Sequence, residues 1–152
     1  MLLQFTNGTK FAIGDTNFYS PPESDELSKA RITVPVRIGG FTTSAIVDTG
    51  QLYMVVSPEL TEFIVLEPVN RRISPTEILV EGKRVEGMLH RVALTLLNAD
   101  RDGADLPLSV LAFVPNKAKY SGAQIPSFLG LTSCLDAIRF AIDANSEVFY
   151  FG

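Results

Sequence analysis

Asp48 stands between two apolar runs. Ala45-Ile46-Val47 leads into Asp48-Thr49-Gly50, and Leu52-Tyr53-Met54-Val55-Val56 begins one residue after it. Both runs read as buried strands, where an ionised carboxylate costs several kcal/mol unless it is paired or hydrogen-bonded. Two readings follow. Asp-Thr-Gly is either a tight turn closed by an Asx-type hydrogen bond, or the carboxylate is placed for acid–base chemistry. Few other groups offer chemistry. The single cysteine, Cys134, lies in a short apolar stretch and reads as an inert core thiol; one cysteine allows no internal disulfide. The single histidine, His90, reads as a strand or surface residue. No second imidazole exists for a histidine zinc site, and no Gly-x-Ser-x-Gly accompanies it. Asp100, Asp102 and Asp105 lack the spacing and the closing glutamate of a calcium loop. No metal and no cofactor are expected.

The elements that must position Asp48 are mostly strands. Arg31 to Ile38 alternates: Ile32, Val34, Val36 and Ile38 face one way, and Arg31, Thr33, Pro35 and Arg37 the other. Gly39-Gly40 turns the chain and Thr43 to Val47 returns it to Asp48. Pro35 cannot donate a ladder hydrogen bond and marks an open edge. Ser57 as N-cap, Pro58 at the first helical position and Glu59 in the first turn predict a short helix over Pro58 to Phe63. Ile73 to Val92 reads as a hairpin whose tip is Glu81-Gly82-Lys83-Arg84. Leu106 to Pro115 is another strand, Asn116 to Ser127 a loop, and Leu131 to Arg139 a short helix with Thr132 or Ser133 near its cap. Phe140 to Gly152 forms two strands around Ala144-Asn145-Ser146. Asn7-Gly8 predicts a first hairpin, and Asn17 to Ala30, with Pro21-Pro22 and its charges, an exposed loop or arm. Seven or more strands with two short helices predict an all-β barrel or sandwich.

Composition narrows the function classes. The 152 residues suit one domain with a single core, 1–152, of which 1–30 is a hairpin and loop extension. A net charge of -4 and no Lys/Arg run longer than two argue against nucleic-acid partners and a polybasic membrane patch. No apolar segment approaches the roughly 20 residues that span a bilayer, and the N-terminus has no basic n-region. A soluble, cytoplasmic protein without membrane partners is expected.

The run Val34 to Gly50 resembles the first hairpin and active-site loop of retropepsin-like, single-lobe aspartic proteases of the cellular and bacterial type. Three features match in order: Ile46-Val47-Asp48-Thr49-Gly50, a glycine-bearing central hairpin with its tip near Gly82, and Phe128-Leu129-Gly130 followed by a short helix. The closing segment Phe140 to Gly152 is also similar, so the resemblance runs from Arg31 to Gly152. It implies a closed β-barrel of one aspartic-protease lobe and a homodimer in which two Asp48 carboxylates share one proton and activate a water. It implies roles as well. Asp48, Thr49 and Gly50 form the catalytic loop; Thr49 braces the partner's loop and Gly50 admits a close backbone approach. Phe128, Leu129 and Gly130 support the loop from below. Gly82, Lys83 and Arg84 at the flap tip, with Gln51 and Leu52, contact an extended peptide.

Two positions depart from the family pattern. Gln51 stands where Ala or Ser is usual, and its side chain is expected either to narrow the cleft or to fold back onto Asp48. Leu52 and Leu131 stand where viral members carry an acid and its arginine partner. Loss of both halves together is self-consistent, because an apolar pair replaces a buried ion pair at little cost. The chain begins with Met, which suggests that it is not cut from a polyprotein. Two function classes fit: an aspartic endopeptidase, and a non-catalytic protease-like domain that binds peptides or dimerises. An unrelated small β-barrel is the third. Asp136 and Asp143 read as a helix-surface acid and a turn acid.

Overall fold

A computed structural model of the chain describes residues 2–18 and 31–152. Eleven strands follow in order among them: β1 (Gly14–Asn17), β2 (Ile32–Ile38), β3 (Phe41–Val47), β4 (Met54–Val55), β5 (Glu67–Pro68), β6 (Glu77–Val80), β7 (Lys83–Leu96), β8 (Leu106–Pro115), β9 (Phe128–Leu129), β10 (Phe140–Asp143) and β11 (Val148–Phe151). The chain is all-β, with one-turn helix α1 (Lys117–Tyr120) and two 3-10 turns, Pro58–Glu62 and Leu135–Ala137.

The larger sheet has the order β2-β3-β9-β4-β8-β7-β5, with β6 paired to β7. β2 also pairs with β7 through Val36, Arg37 and Ile38, so the order returns on itself. β4 and β9 contribute only two residues each, so the closed order runs through two short links rather than through strands of uniform length. Ile32 to Pro35 have no β7 partner, so the proline sits on the open edge that its missing N–H requires. β1, β11 and β10 form a second, three-stranded antiparallel sheet, with Gly14 opposite Phe151.

Apart from exposed Leu52, the apolar runs around Asp48 pack against a core on each face. Val34, Val36, Ala45, Met54, Val56, Val92, Leu94, Val110, Ala112 and Leu129 build the first core. Their neighbours of opposite parity, Val55, Phe113 and Phe128 with Ile46 and Tyr53, face a second core closed by Ile78, Val80, Val85 and Leu89 of the β6–β7 hairpin. Successive strand residues point to opposite faces. A strand covered on both sides must therefore read as a continuous apolar run.

Several expectations need correction. The helix over Leu131 to Arg139 shrinks to the three-residue turn Leu135–Ala137. The amides of Leu131 and Thr132 donate to the Gln51 and Leu52 carbonyls, Ser133 is left-handed at φ 56°, and Arg139 already pairs with Gly152. The loop after Asn116 contains α1, because the Asn116 side chain accepts from the Ala118 amide and caps a turn. The helix at Pro58 is 3-10, and Ser57 makes no side-chain cap; its amide instead donates to Ser127 Oγ at 2.9 Å. The Asn7-Gly8 turn forms with Gly8 at φ 83°, but only one bridge, Gln4 to Lys10, follows it. Of the arm expected over Asn17 to Ala30, Asn17 ends β1 and Phe18 joins the first core; the remainder lies outside the described residues.

Cys134 is buried in the first core, and burial, with Asp136 adding to it, pushes its thiol up to about 12 from 9.0. Native Cys134 is therefore expected to resist a thiol reagent at neutral pH and to react fully once the chain is unfolded; equal rates in both states would contradict the burial. The folded chain holds this proton more tightly than the unfolded chain. Its contribution to stability is full below pH 9.0 and falls as pH rises toward 12.

Candidate active site

Asp48 closes β3 and stands at the start of a four-residue turn. β3 runs parallel to β9, with Ile46 beside Phe128 and Val47 beside Leu129. The Asp48 amide donates to the Leu129 carbonyl at 3.1 Å, and the Ile46 amide to the Ser127 carbonyl at 2.9 Å. Asp48 Oδ1 accepts from the Gly50 amide at 2.9 Å, and the Asp48 carbonyl from the Gln51 amide at 3.1 Å. The Asx turn thus exists, and it holds the half-buried carboxylate in one orientation with Thr49 and Gly50 exposed beside it. A turn explanation and a chemical one do not compete here.

The returning chain is clamped against the segment after β9. The Gln51 carbonyl accepts from the Leu131 amide at 2.9 Å, the Leu52 carbonyl from the Thr132 amide at 2.7 Å, and Tyr53 bridges Thr132. Gly130 lies under this crossing. A Cβ there would stand 2.2 Å from the Tyr53 carbonyl oxygen and 2.9 Å from that of Gln51. Leu52 and Leu131, whose backbones run side by side, are 56% and 41% exposed. Two apolar side chains therefore face outward next to Asp48.

The β6–β7 hairpin lies over this loop. Its two-residue turn, Glu81-Gly82, has φ of 52° and 78°, the left-handed pair that matches strand twist in a tight hairpin. Lys83 and Arg84 are exposed as β7 leaves the tip, and Arg84 pairs with Glu77 at 3.4 Å. Besides the Lys119–Glu86 ion pair and the Glu86 amide on the Tyr120 hydroxyl farther along β7, two polar contacts hold the hairpin near its tip. Glu81 forms an ion pair with Arg31, and Gln51 Nε2 donates to the Leu79 carbonyl at 3.2 Å. Gln51 is only 7% exposed. Its side chain therefore neither stands free in a cleft nor folds onto Asp48, as the sequence reading expected; it reaches the hairpin instead. Leu79 and Arg31 were not legible as site residues. Alternation marks Arg31 only as an outward strand residue, and a backbone acceptor has no side-chain signature.

Other groups singled out from the sequence lie elsewhere. His90 is in β7, with Nδ1 3.2 Å from the Met88 carbonyl oxygen. It lines a cavity of about 690 Å³ with Thr61, Leu66, Ser74, Met88 and Val114 at the base of the hairpin, and Asp48 is not among the lining residues. Asp102 donates its amide to Asp100 Oδ1, and Asn98 donates its amide to Asp105 Oδ1. Asp143 Oδ1 accepts from the Asn145 and Ser146 amides, and hydrogen bonding from Ser146 holds its carboxyl below the usual value. These carboxylates shape turns. Among the described residues no cluster of three or more His, Cys, Asp or Glu side chains is placed to hold a metal, and no helix is long and apolar enough to cross a membrane.

No protein-family model matches the chain, and no curated protein matches it in sequence. Among solved structures it is similar to a retropepsin-like aspartic protease from Rickettsia conorii. The two share 13% identity over 91% of this chain and 89% of the other, with a TM-score of 0.50. An Asp-Thr-Gly turn beside β9, a hairpin tied down above it and this structural likeness together place the chain in the retropepsin-like aspartic protease fold.

Proposed function

We propose that the chain is an aspartic endopeptidase that works as a homodimer on extended peptides. The observation that carries this reading is Asp48. It is a half-buried carboxylate at a strand end, oriented by its own turn and by β9, beside exposed Thr49, Gly50, Leu52 and Leu131 and beneath a hairpin. One chain supplies one such carboxylate. A second copy meeting this one at the exposed loop brings two together, and at close range they share a single proton. The ionised member takes a proton from a water that attacks the peptide carbonyl. The protonated member hydrogen-bonds the carbonyl oxygen and then donates to the leaving nitrogen. Thr49 and Gly50 keep the turn compact and let the substrate backbone approach. Phe128, Leu129 and Gly130 hold the loop from below, and Gly82, Lys83 and Arg84 bring the flap tip to the peptide.

A second reading is a non-catalytic domain that binds peptides or dimerises. The buried Gln51 amide, bound to the flap strand where the family carries a small residue, favours it. Cleavage of an unfolded protein mixture, followed across pH, separates the two. The endopeptidase requires one protonated and one ionised carboxylate, so its rate is bell-shaped with a maximum on the acid side of neutral. A chelator leaves the rate unchanged. Absence of cleavage at every pH from a protein that sediments as a dimer selects the second reading.

A further inference from the structure

We infer that Gln51 is a latch whose carboxamide occupies, in the free chain, the hydrogen-bonding position on the flap edge that a substrate peptide group would take. The inference rests on the proposed peptide cleft. Among the described residues β6 pairs only with β7, and no other described strand lies along its outer edge. In a hairpin closed by a two-residue turn, the pair flanking the turn exchanges both backbone hydrogen bonds, and alternate pairs do not. Val80–Lys83 flanks the Glu81-Gly82 turn, so Leu79–Arg84 is a pair without ladder bonds. The Leu79 carbonyl therefore points out of the hairpin, along the open edge. An open strand edge is what an extended peptide adds to.

Gln51 fills that edge. Its carboxamide carries the same donor and acceptor as a peptide group, and Nε2 donates to the Leu79 carbonyl at 3.2 Å. The side chain comes from the residue that ends the Asp48 turn, so the contact spans flap and catalytic loop directly. The Arg31–Glu81 ion pair fastens the same hairpin nearer its tip. The side chains of that pair are 33% and 40% exposed and it holds weakly, whereas Gln51 is buried. The apolar face of the hairpin, Ile78, Val80 and Val85, is packed down at the same time. A peptide strand entering along β6 displaces the Gln51 amide and replaces it with its own N–H. Gln51 is thus a positioning residue that sets the threshold for peptide entry. The small residue usual in the family cannot reach the flap.

Gln51→Met keeps the length of the side chain and removes the donor; Gln51→Glu places an acceptor against the Leu79 carbonyl. Amide hydrogen exchange of residues 77–86 is measured in both variants and in the unchanged chain, with β2–β3 amides as the folding control. Loss of one hydrogen bond raises flap exchange about fivefold in Gln51→Met, and further in Gln51→Glu, while β2–β3 protection is retained. With a cleavable peptide, KM falls by a similar factor and the change sits in KM rather than kcat. Flap exchange equal to that of the unchanged chain in both variants overturns the latch. A freed flap with undiminished KM overturns the placeholder role. If no variant and no parent cleaves any peptide, the endopeptidase reading fails, and flap exchange still decides the latch.

Discussion

Replacing Asp48 with asparagine is expected to abolish the proposed peptide cleavage and to leave the chain folded. Asparagine keeps the Oδ1 that accepts from the Gly50 amide, so the turn that presents position 48 survives. The group proposed to take and return the proton is gone, and a positioned acid–base group contributes roughly a hundredfold to ten-thousandfold in rate. Facing amides carry no net charge, so the proposed dimer is not expected to weaken through repulsion at this position. Asp48→Ala separates structure from chemistry. It loses the turn hydrogen bond as well, and stability falls by about 1 kcal/mol relative to Asp48→Asn. The checks are cleavage of an unfolded protein mixture, sedimentation and thermal melts for all three proteins. Residual cleavage in Asp48→Asn equal to that of the parent would end the endopeptidase proposal.

Gly130→Ala has the largest expected effect on stability. The added methyl would stand 2.2 Å from the Tyr53 carbonyl oxygen and 2.3 Å from its carbon. Those are backbone atoms, and the amides of Leu131 and Thr132 pin the same crossing by hydrogen bonds to Gln51 and Leu52. Neither strand can move aside without breaking one of them. Overpacking of this kind costs about 3 kcal/mol or more, and it displaces the Asp48 turn with the segment above it. Urea unfolding of the variant reads the loss. A free energy of unfolding within about 1 kcal/mol of the parent would mean that the crossing is looser than these contacts require.

Some of this was determined by the amino-acid sequence alone. The alternation of Ile32 to Ile38, the Gly39-Gly40 turn, a hairpin turn within Glu81–Arg84 and the Leu106–Pro115 strand are local properties that side-chain period and φ preference suffice to set, although the structure narrows that turn to Glu81-Gly82 and gives Lys83 and Arg84 to β7. Asp48-Thr49-Gly50 was conspicuous because a carboxylate between apolar runs conflicts with its surroundings. Helices were less legible. The Leu131 to Arg139 pattern suits a helix locally, but Ser133 is held left-handed at φ 56° and Arg139 is taken into pairing with Gly152, so only a short turn between them remains.

The tertiary structure alone decided how the elements converge on Asp48. Parallel pairing of β3 with β9 joins Val47 to Leu129, and no local pattern encodes a contact at that separation. Two-sided burial of β4, of the Ala45–Val47 end of β3 and of Val110–Val114 in β8 explains the apolar runs there, yet a run by itself does not say what covers each face. Gln51 is the clearest case. Its type and position show only that a long polar side chain follows the turn. Where the amide goes depends on the Leu79 carbonyl, which the β6–β7 ladder does not use, and hairpin pairing parity together with the packing of the hairpin onto the second core set that carbonyl in place.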